Sequence, residues 1–234
     1  MSRRDTLQQI ARVPHDARAF PIEERFALSG SNDSLVIFLH GVGALGADLA
    51  PLAKPLSAFL PSAAFVAPDA PARFDGGGAA RQWFSVAGIT AANRAQRVEQ
   101  AREGFDRVIS ATLAERGFAG RLDRVALFGF SQGAIMALDA IADGRWPVAA
   151  VVAASGRLAS AVEPSPAAAA TPVLLLHGEA DAMVPAEESR RAAPRLKAAG
   201  FTVETRYFAR LGHAISGEGV EAAGAFLART LADA

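Results

Sequence analysis

Residues 125–142 read VALFGFSQGAIMALDAIA. An apolar run of strand character, VALF, leads into Gly129-Phe130-Ser131-Gln132-Gly133, and a helix-like segment follows at once. The pattern G-x-S-x-G is weak alone, because any serine between spaced glycines satisfies it. Set between a strand and a helix, it predicts a nucleophile elbow, a tight and strained turn that pushes the serine hydroxyl out at the top of a sheet. The two glycines let backbone segments approach where side chains would collide. The following helix aims its positive N-terminus at the serine. Ser131 is therefore the candidate nucleophile.

The same grammar extends outward in both directions. Short apolar runs occur at residues 35–39 (LVIFL), 63–67, 148–153 and 173–176. Continuous runs of this length fit strands buried on both faces of a parallel sheet. Residues 203–208 (VETRYF) alternate, which suits a strand near a sheet edge. Between them lie helical patterns at 93–116, 132–142, 187–199 and 219–231. Asn93 is a candidate cap for the first of these, and Gly200 a candidate stop for the third. Residues 48–59 carry Pro51 and Pro55, and Pro55 argues against a regular helix there. The β-α alternation predicts a doubly wound, mostly parallel sheet with helices on both faces, in a single domain over residues 1–234. Residues 1–20 stand apart as an N-terminal extension.

An elbow of this kind expects its partners in the chain order serine, acid, histidine. His15 and His40 precede Ser131. His177 ends a strand and reads as a partly buried strand-end residue. His213 remains, in the loop between VETRYF and the last helix, and is the candidate base. Among the acids between Ser131 and His213, Asp139 and Asp143 lie on the helix leaving the serine and read as surface charges. Glu163 falls in a loop and Glu204 on a strand, and Glu187 and Glu188 suit the start of a helix. Asp181 follows the 173–176 strand at the correct end and is the candidate acid. Glu179, two residues earlier, reads as a solvated loop charge. Acyl transfer also builds an oxyanion, which needs preorganised N–H donors. The expected donors are the main-chain N–H groups of Gln132 and of Val42, the latter in the glycine-bearing loop His40-Gly41-Val42-Gly43. Trp83 and Phe84 read either as walls of an apolar acyl pocket or as core.

The segments LHGVGALGADL (39–49), VAPDAP (66–71), QWFSV (82–86), FGFSQGA (128–134), LHGEADAMVP (176–185) and LGHAISGEGV (211–220) together resemble the phospholipase/carboxylesterase family, which includes acyl-protein thioesterases and bacterial carboxylesterases. The resemblance covers roughly residues 35–230. It implies an α/β-hydrolase fold, no cofactor, a triad at Ser131, Asp181 and His213, and oxyanion donors at Val42 and Gln132. One departure is Ser85, where many members carry an aspartate after Trp-Phe. The first loop resembles bacterial members more than the eukaryotic thioesterases.

Bulk composition narrows the remaining classes. The chain has 234 residues, with 51% hydrophobic and 21% charged residues. Its formal net charge is zero, which gives no electrostatic case for nucleic acid. Without cysteine there is no thiolate catalysis, disulfide framework or cysteine-ligated metal, and no metal site is expected. The first residues are basic but lack an apolar run behind them, and the most apolar stretch, 148–154, is far shorter than the roughly 20 residues of a membrane helix. The expectation is a cytoplasmic enzyme acting on small-molecule acyl esters. A thioesterase or lysophospholipase using the same machinery stays open, as does a non-catalytic binding protein on the hydrolase fold.

Overall fold

The computed structural model of the protein describes residues 32–160 and 170–232. The expectations for residues 1–20, His15 and Glu163 lie outside the described residues. The main sheet has six strands: β1 (Ser34–Leu39), β2 (Ala63–Val66), β5 (Val125–Phe130), β6 (Ala150–Ala154), β7 (Val173–Gly178) and β8 (Val203–Phe208). Their order is β2-β1-β5-β6-β7-β8, and every neighbouring pair is parallel. β3 (Ala72–Arg73) and β4 (Arg81–Gln82) form a separate two-residue antiparallel ribbon.

The continuous apolar runs of β1, β5, β6 and β7 are explained by cover on both sides, whereas β2, expected to be buried likewise, is an edge strand and only half-buried. In β1, Leu35, Ile37 and Leu39 belong to one core, while Val36 and Phe38 belong to the other. The first core packs under α2 (Arg94–Glu115), α3 (Gln132–Ala142) and α4 (Glu187–Ala198). The second packs under α1 (Ala53–Leu56) and α5 (Gly217–Ala232). With β8 at the edge, its alternating pattern finds only partial burial. Around Pro51 and Pro55 the chain makes two single 3-10 turns and then the four-residue α1, so no regular helix spans 48–59.

Two local expectations need correction. Asn93 stands at the N-cap of α2, but its side chain makes no capping bond. It turns backward instead, accepting from Thr90 N–H at 2.7 Å and donating to the Gly88 carbonyl at 3.0 Å. Asp139 and Asp143 are not surface charges. All eleven residues of α3 are buried, because α2 lies over it. Asp139 is wholly inaccessible and receives Arg102 at 2.9 Å, Arg145 at 2.7 Å and the Ser160 hydroxyl at 2.7 Å. Asp143 meets Arg145 at 2.5 Å and Arg102 at 3.4 Å. Burial of a carboxylate requires such pairing, and helix periodicity alone does not reveal which long cations reach it.

β1 connects outward to β2, and the chain then crosses to β5 on the other flank of β1. The carboxyl ends of β1 and β5 therefore flank a topological switch point, where open α/β sheets bind ligands.

Candidate active site

Ser131 follows β5 with φ 52° and ψ −114°, a conformation that L-residues rarely adopt. The turn is forced by close approach. A Cβ on Gly133 would lie 2.0 Å from the Leu39 carbonyl oxygen, and one on Gly129 would lie 2.5 Å from Ala134 main-chain atoms. Ser131 N–H donates to the Ala154 carbonyl at 2.9 Å, which ties the turn to the end of β6.

His213 stands between Ser131 and Asp181. Its Nδ1 lies 2.7 Å from Asp181 Oδ2 and its Nε2 lies 2.9 Å from Ser131 Oγ. An ionised carboxylate only accepts, so Nδ1 carries the proton and Nε2 is free to accept from the serine hydroxyl. The Phe130 ring packs on the imidazole with centroids 4.9 Å apart. The Asp181 loop is held by its own acid: Oδ1 accepts the N–H groups of Met183 and Val184, each at 2.9 Å. Burial opposes ionisation of Asp181, but the His213 hydrogen bond, with the two amides, outweighs it and holds the carboxyl below its usual range.

The other two histidines among the described residues, His40 and His177, are fully committed. His40 accepts from Ala70 N–H at Nε2 (2.9 Å) and donates from Nδ1 to the Gly41 carbonyl (2.7 Å). His177 donates from Nε2 to the Val184 carbonyl (2.8 Å) and its Nδ1 meets the Ser189 hydroxyl (2.6 Å). Burial lowers both pKa values, so both rings stay neutral. Glu179 points away to Arg190.

The loop after β1 lies against the elbow, since a Cβ on Gly41 would sit 3.3 Å from Ser131 Cβ. Among the described residues, neither Val42 N–H nor Gln132 N–H has a hydrogen-bond acceptor. Trp83 and Phe84 both pack into the core on the α2–α4 side, 3% and 6% exposed. Ser85 brings no charge of its own, and Asp75 supplies a carboxylate beside it from the preceding loop. Asp75 accepts the Ser85 hydroxyl at 2.8 Å, Gln82 Nε2 at 2.7 Å and Val86 N–H at 2.9 Å. Ser155, at the end of β6, was not singled out from sequence. It has φ 50°, and its buried hydroxyl has no partner among the described residues. No local motif marks it.

Among the described residues, no helix is long and apolar enough to cross a membrane, and no group of three or more His, Asp or Glu side chains is arranged to hold a metal.

Residues 27–231 match the family described as Phospholipase/Carboxylesterase. The chain is 33% identical over 187 residues to esterase YpfH of Escherichia coli (strain K12), covering 80% of this chain and 78% of that one. It is 33% identical over 115 residues to acyl-protein thioesterase 1 of Gibberella zeae, covering 47% of this chain and 49% of that one. The crystal structure of esterase PE8 superimposes with a TM-score of 0.76 at 33% identity, covering 88% of this chain and 96% of that one. The chain therefore belongs to the phospholipase/carboxylesterase family and is an ester-hydrolysing enzyme of the α/β-hydrolase type.

Proposed function

We propose that the protein is a single-domain serine carboxylesterase that works through an acyl-enzyme on Ser131. The observation that carries this reading is the unbroken chain of contacts from Ser131 Oγ to His213 at 2.9 Å and on to Asp181 at 2.7 Å. Ser131 Oγ attacks the acyl carbon while His213 Nε2 takes its proton. Asp181 fixes the tautomer that leaves Nε2 free and stabilises the imidazolium that forms. The carbonyl oxygen, now negative, is received by the N–H groups of Val42 and Gln132, which have no competing acceptor among the described residues. His213 returns its proton to the leaving alkoxide. A water then attacks the acyl-enzyme with His213 again as base, releasing the acid and restoring Ser131. No step in this sequence requires a metal or an organic cofactor.

The substrates of this reading are small or medium acyl esters. Thioesters fit the same chemistry and differ only in the leaving group, so a panel of esters and thioesters of graded acyl length ranks them. The decisive experiment is labelling with a fluorophosphonate, followed by peptide mapping, alongside Ser131→Ala in a nitrophenyl-ester assay. Label on Ser131 and a loss of about 10⁴–10⁶ in kcat are expected. Label elsewhere, or more than a tenth of the activity retained in Ser131→Ala, overturns the reading. A non-catalytic binding protein would give neither label nor turnover.

A further inference from the structure

The two main-chain N–H groups assigned above to the oxyanion belong to the loop after β1 and to the first turn of α3, which no sheet ladder connects. Strands β1 and β5 pair as far as Leu39 and Gly129, and their register ends there. Val42 and Gln132 both lie beyond it. Gly41 packs against Ser131, which limits how closely the two segments approach, and beyond Val42 the main chain of Gly43 and Ala44 bonds that of Arg81 at 2.9 and 3.0 Å, two residues before Trp83.

Trp83 touches both sides. Its main-chain N–H donates to Gln132 Oε1 at 2.7 Å, and Gln132 Nε2 donates to the neighbouring Phe84 carbonyl at 2.8 Å. The Gln132 side chain is thus a two-point clasp on the backbone of residues 83 and 84. The indole Nε1–H of Trp83 donates to the His40 carbonyl at 2.9 Å, two residues before Val42. The His40 ring then grips the Gly41 carbonyl and Ala70 N–H. Trp83, His40 and Gln132 are all buried, and Trp83 is wedged edge-on against Phe105 with centroids 5.4 Å apart. A buried polar network whose members are all satisfied is rigid.

We propose that Trp83 is a positioning residue that sets the spacing between the two oxyanion donors, an inference that rests on the donor assignment under the proposed function. The physical need is clear. Preorganised donors are effective because they need not move as charge develops, and misplacement by about 1 Å can cost on the order of 10²-fold. Trp83 bridges the elbow and the β1 loop through one rigid bicyclic side chain, from its own N–H to its indole N–H.

The test cuts the bridge from either end. Trp83→Phe keeps an aromatic ring but removes the indole donor. Gln132→Met keeps the main-chain N–H and the side-chain length but removes both clasp bonds. A third variant carries, at position 83, the isosteric tryptophan analogue with sulfur in place of the ring N–H, which preserves packing if Trp83→Phe fails to fold. For each, kcat and KM on a nitrophenyl ester, the inhibition constant of an alkyl boronic acid, and a thermal melt are measured. The expected result is a kcat lowered about tenfold or more, less than the 10²–10³ of deleting a donor outright. KM should stay within about threefold, and the boronic acid should weaken in step with kcat. The double variant should be no worse than the poorer single one, because both changes cut the same link. Wild-type kcat in the folded sulfur analogue, or losses that multiply in the double variant, would overturn the proposal. Absence of fluorophosphonate label on Ser131 in the unmodified enzyme would remove the underlying reading, and this inference with it. Label on Ser131 together with unchanged kcat in the variants removes this inference alone.

Discussion

Asp181 divides its carboxylate between His213 and its own loop: Oδ2 faces His213 Nδ1 at 2.7 Å, while Oδ1 accepts the amides of Met183 and Val184. Both oxygens therefore act only as acceptors. In Asp181→Asn the amide nitrogen must face one of these donors, and either the His213 tautomer or the loop is lost. A fall of roughly 10³–10⁴ in kcat is expected. Glu179→Gln cuts only an exposed pair with Arg190, and should cost less than about tenfold. Both variants are assayed on one ester at one pH, with melts to establish folding. A crippled Glu179→Gln beside an active Asp181→Asn would reverse the assignment of the acid.

Gly133→Ala should not be tolerated. The added Cβ would sit 2.0 Å from the Leu39 carbonyl oxygen, a main-chain atom of the central strand that cannot turn aside. Destabilisation by about 3 kcal/mol or more is expected, at the upper end of overpacking costs. Urea unfolding of this variant at wild-type stability would show that the elbow does not pack as described.

Asp139→Ala tests the buried ion cluster separately from the chemistry. Removing the carboxylate takes from Arg102 and Arg145 their buried partner and leaves them sharing only the more exposed Asp143. Breaking a buried pair in this way costs on the order of 3–5 kcal/mol, and both arginines, about one-fifth exposed, place this case at the lower end. The folded fraction should keep kcat and KM within about threefold. Loss of kcat with unchanged stability would instead tie the cluster to the site.

Stability should depend on pH through two histidines that play no part in the proton transfers. Burial lowers the pKa values of His40 and His177 from 6.5. Between 6.5 and those lower values, the unfolded chain binds more protons than the folded one. Stability is then full above about pH 6.5 and declines as pH falls toward the folded values. Asp181 acts in a lower window. Its depressed pKa contributes stability above its ordinary 3.8, which is lost as pH falls through the folded value. A melting temperature that falls from about pH 6.5 to 5, and falls less steeply in His177→Gln, is expected. A melting temperature constant across that range would contradict buried neutral histidines.

Much of this molecule is written in local pattern. A strand buried on both faces reads as an unbroken apolar run, so β1, β5, β6 and β7 were legible from residues such as Leu35–Val36–Ile37 or Val151–Val152. The elbow was legible because its glycines sit at fixed spacing between a strand and a helix. Chain order together with placement beyond strand ends left His213 and Asp181 as the partners of Ser131, and these are the residues that meet in the folded chain. Tertiary structure decided what depends on reach across the fold. Asp139 looks like any helix carboxylate until α2 lies over it and Arg102 arrives from 37 positions away. Ser85 looks like a lost charge until Asp75 closes the loop from the other side. Trp83 offers a sequence reader an apolar ring, whereas its two N–H groups find acceptors 49 and 43 positions distant. Periodicity reports which face of an element is buried. Only packing decides which polar atom on another element it meets, because that depends on the relative placement of segments far apart in the chain.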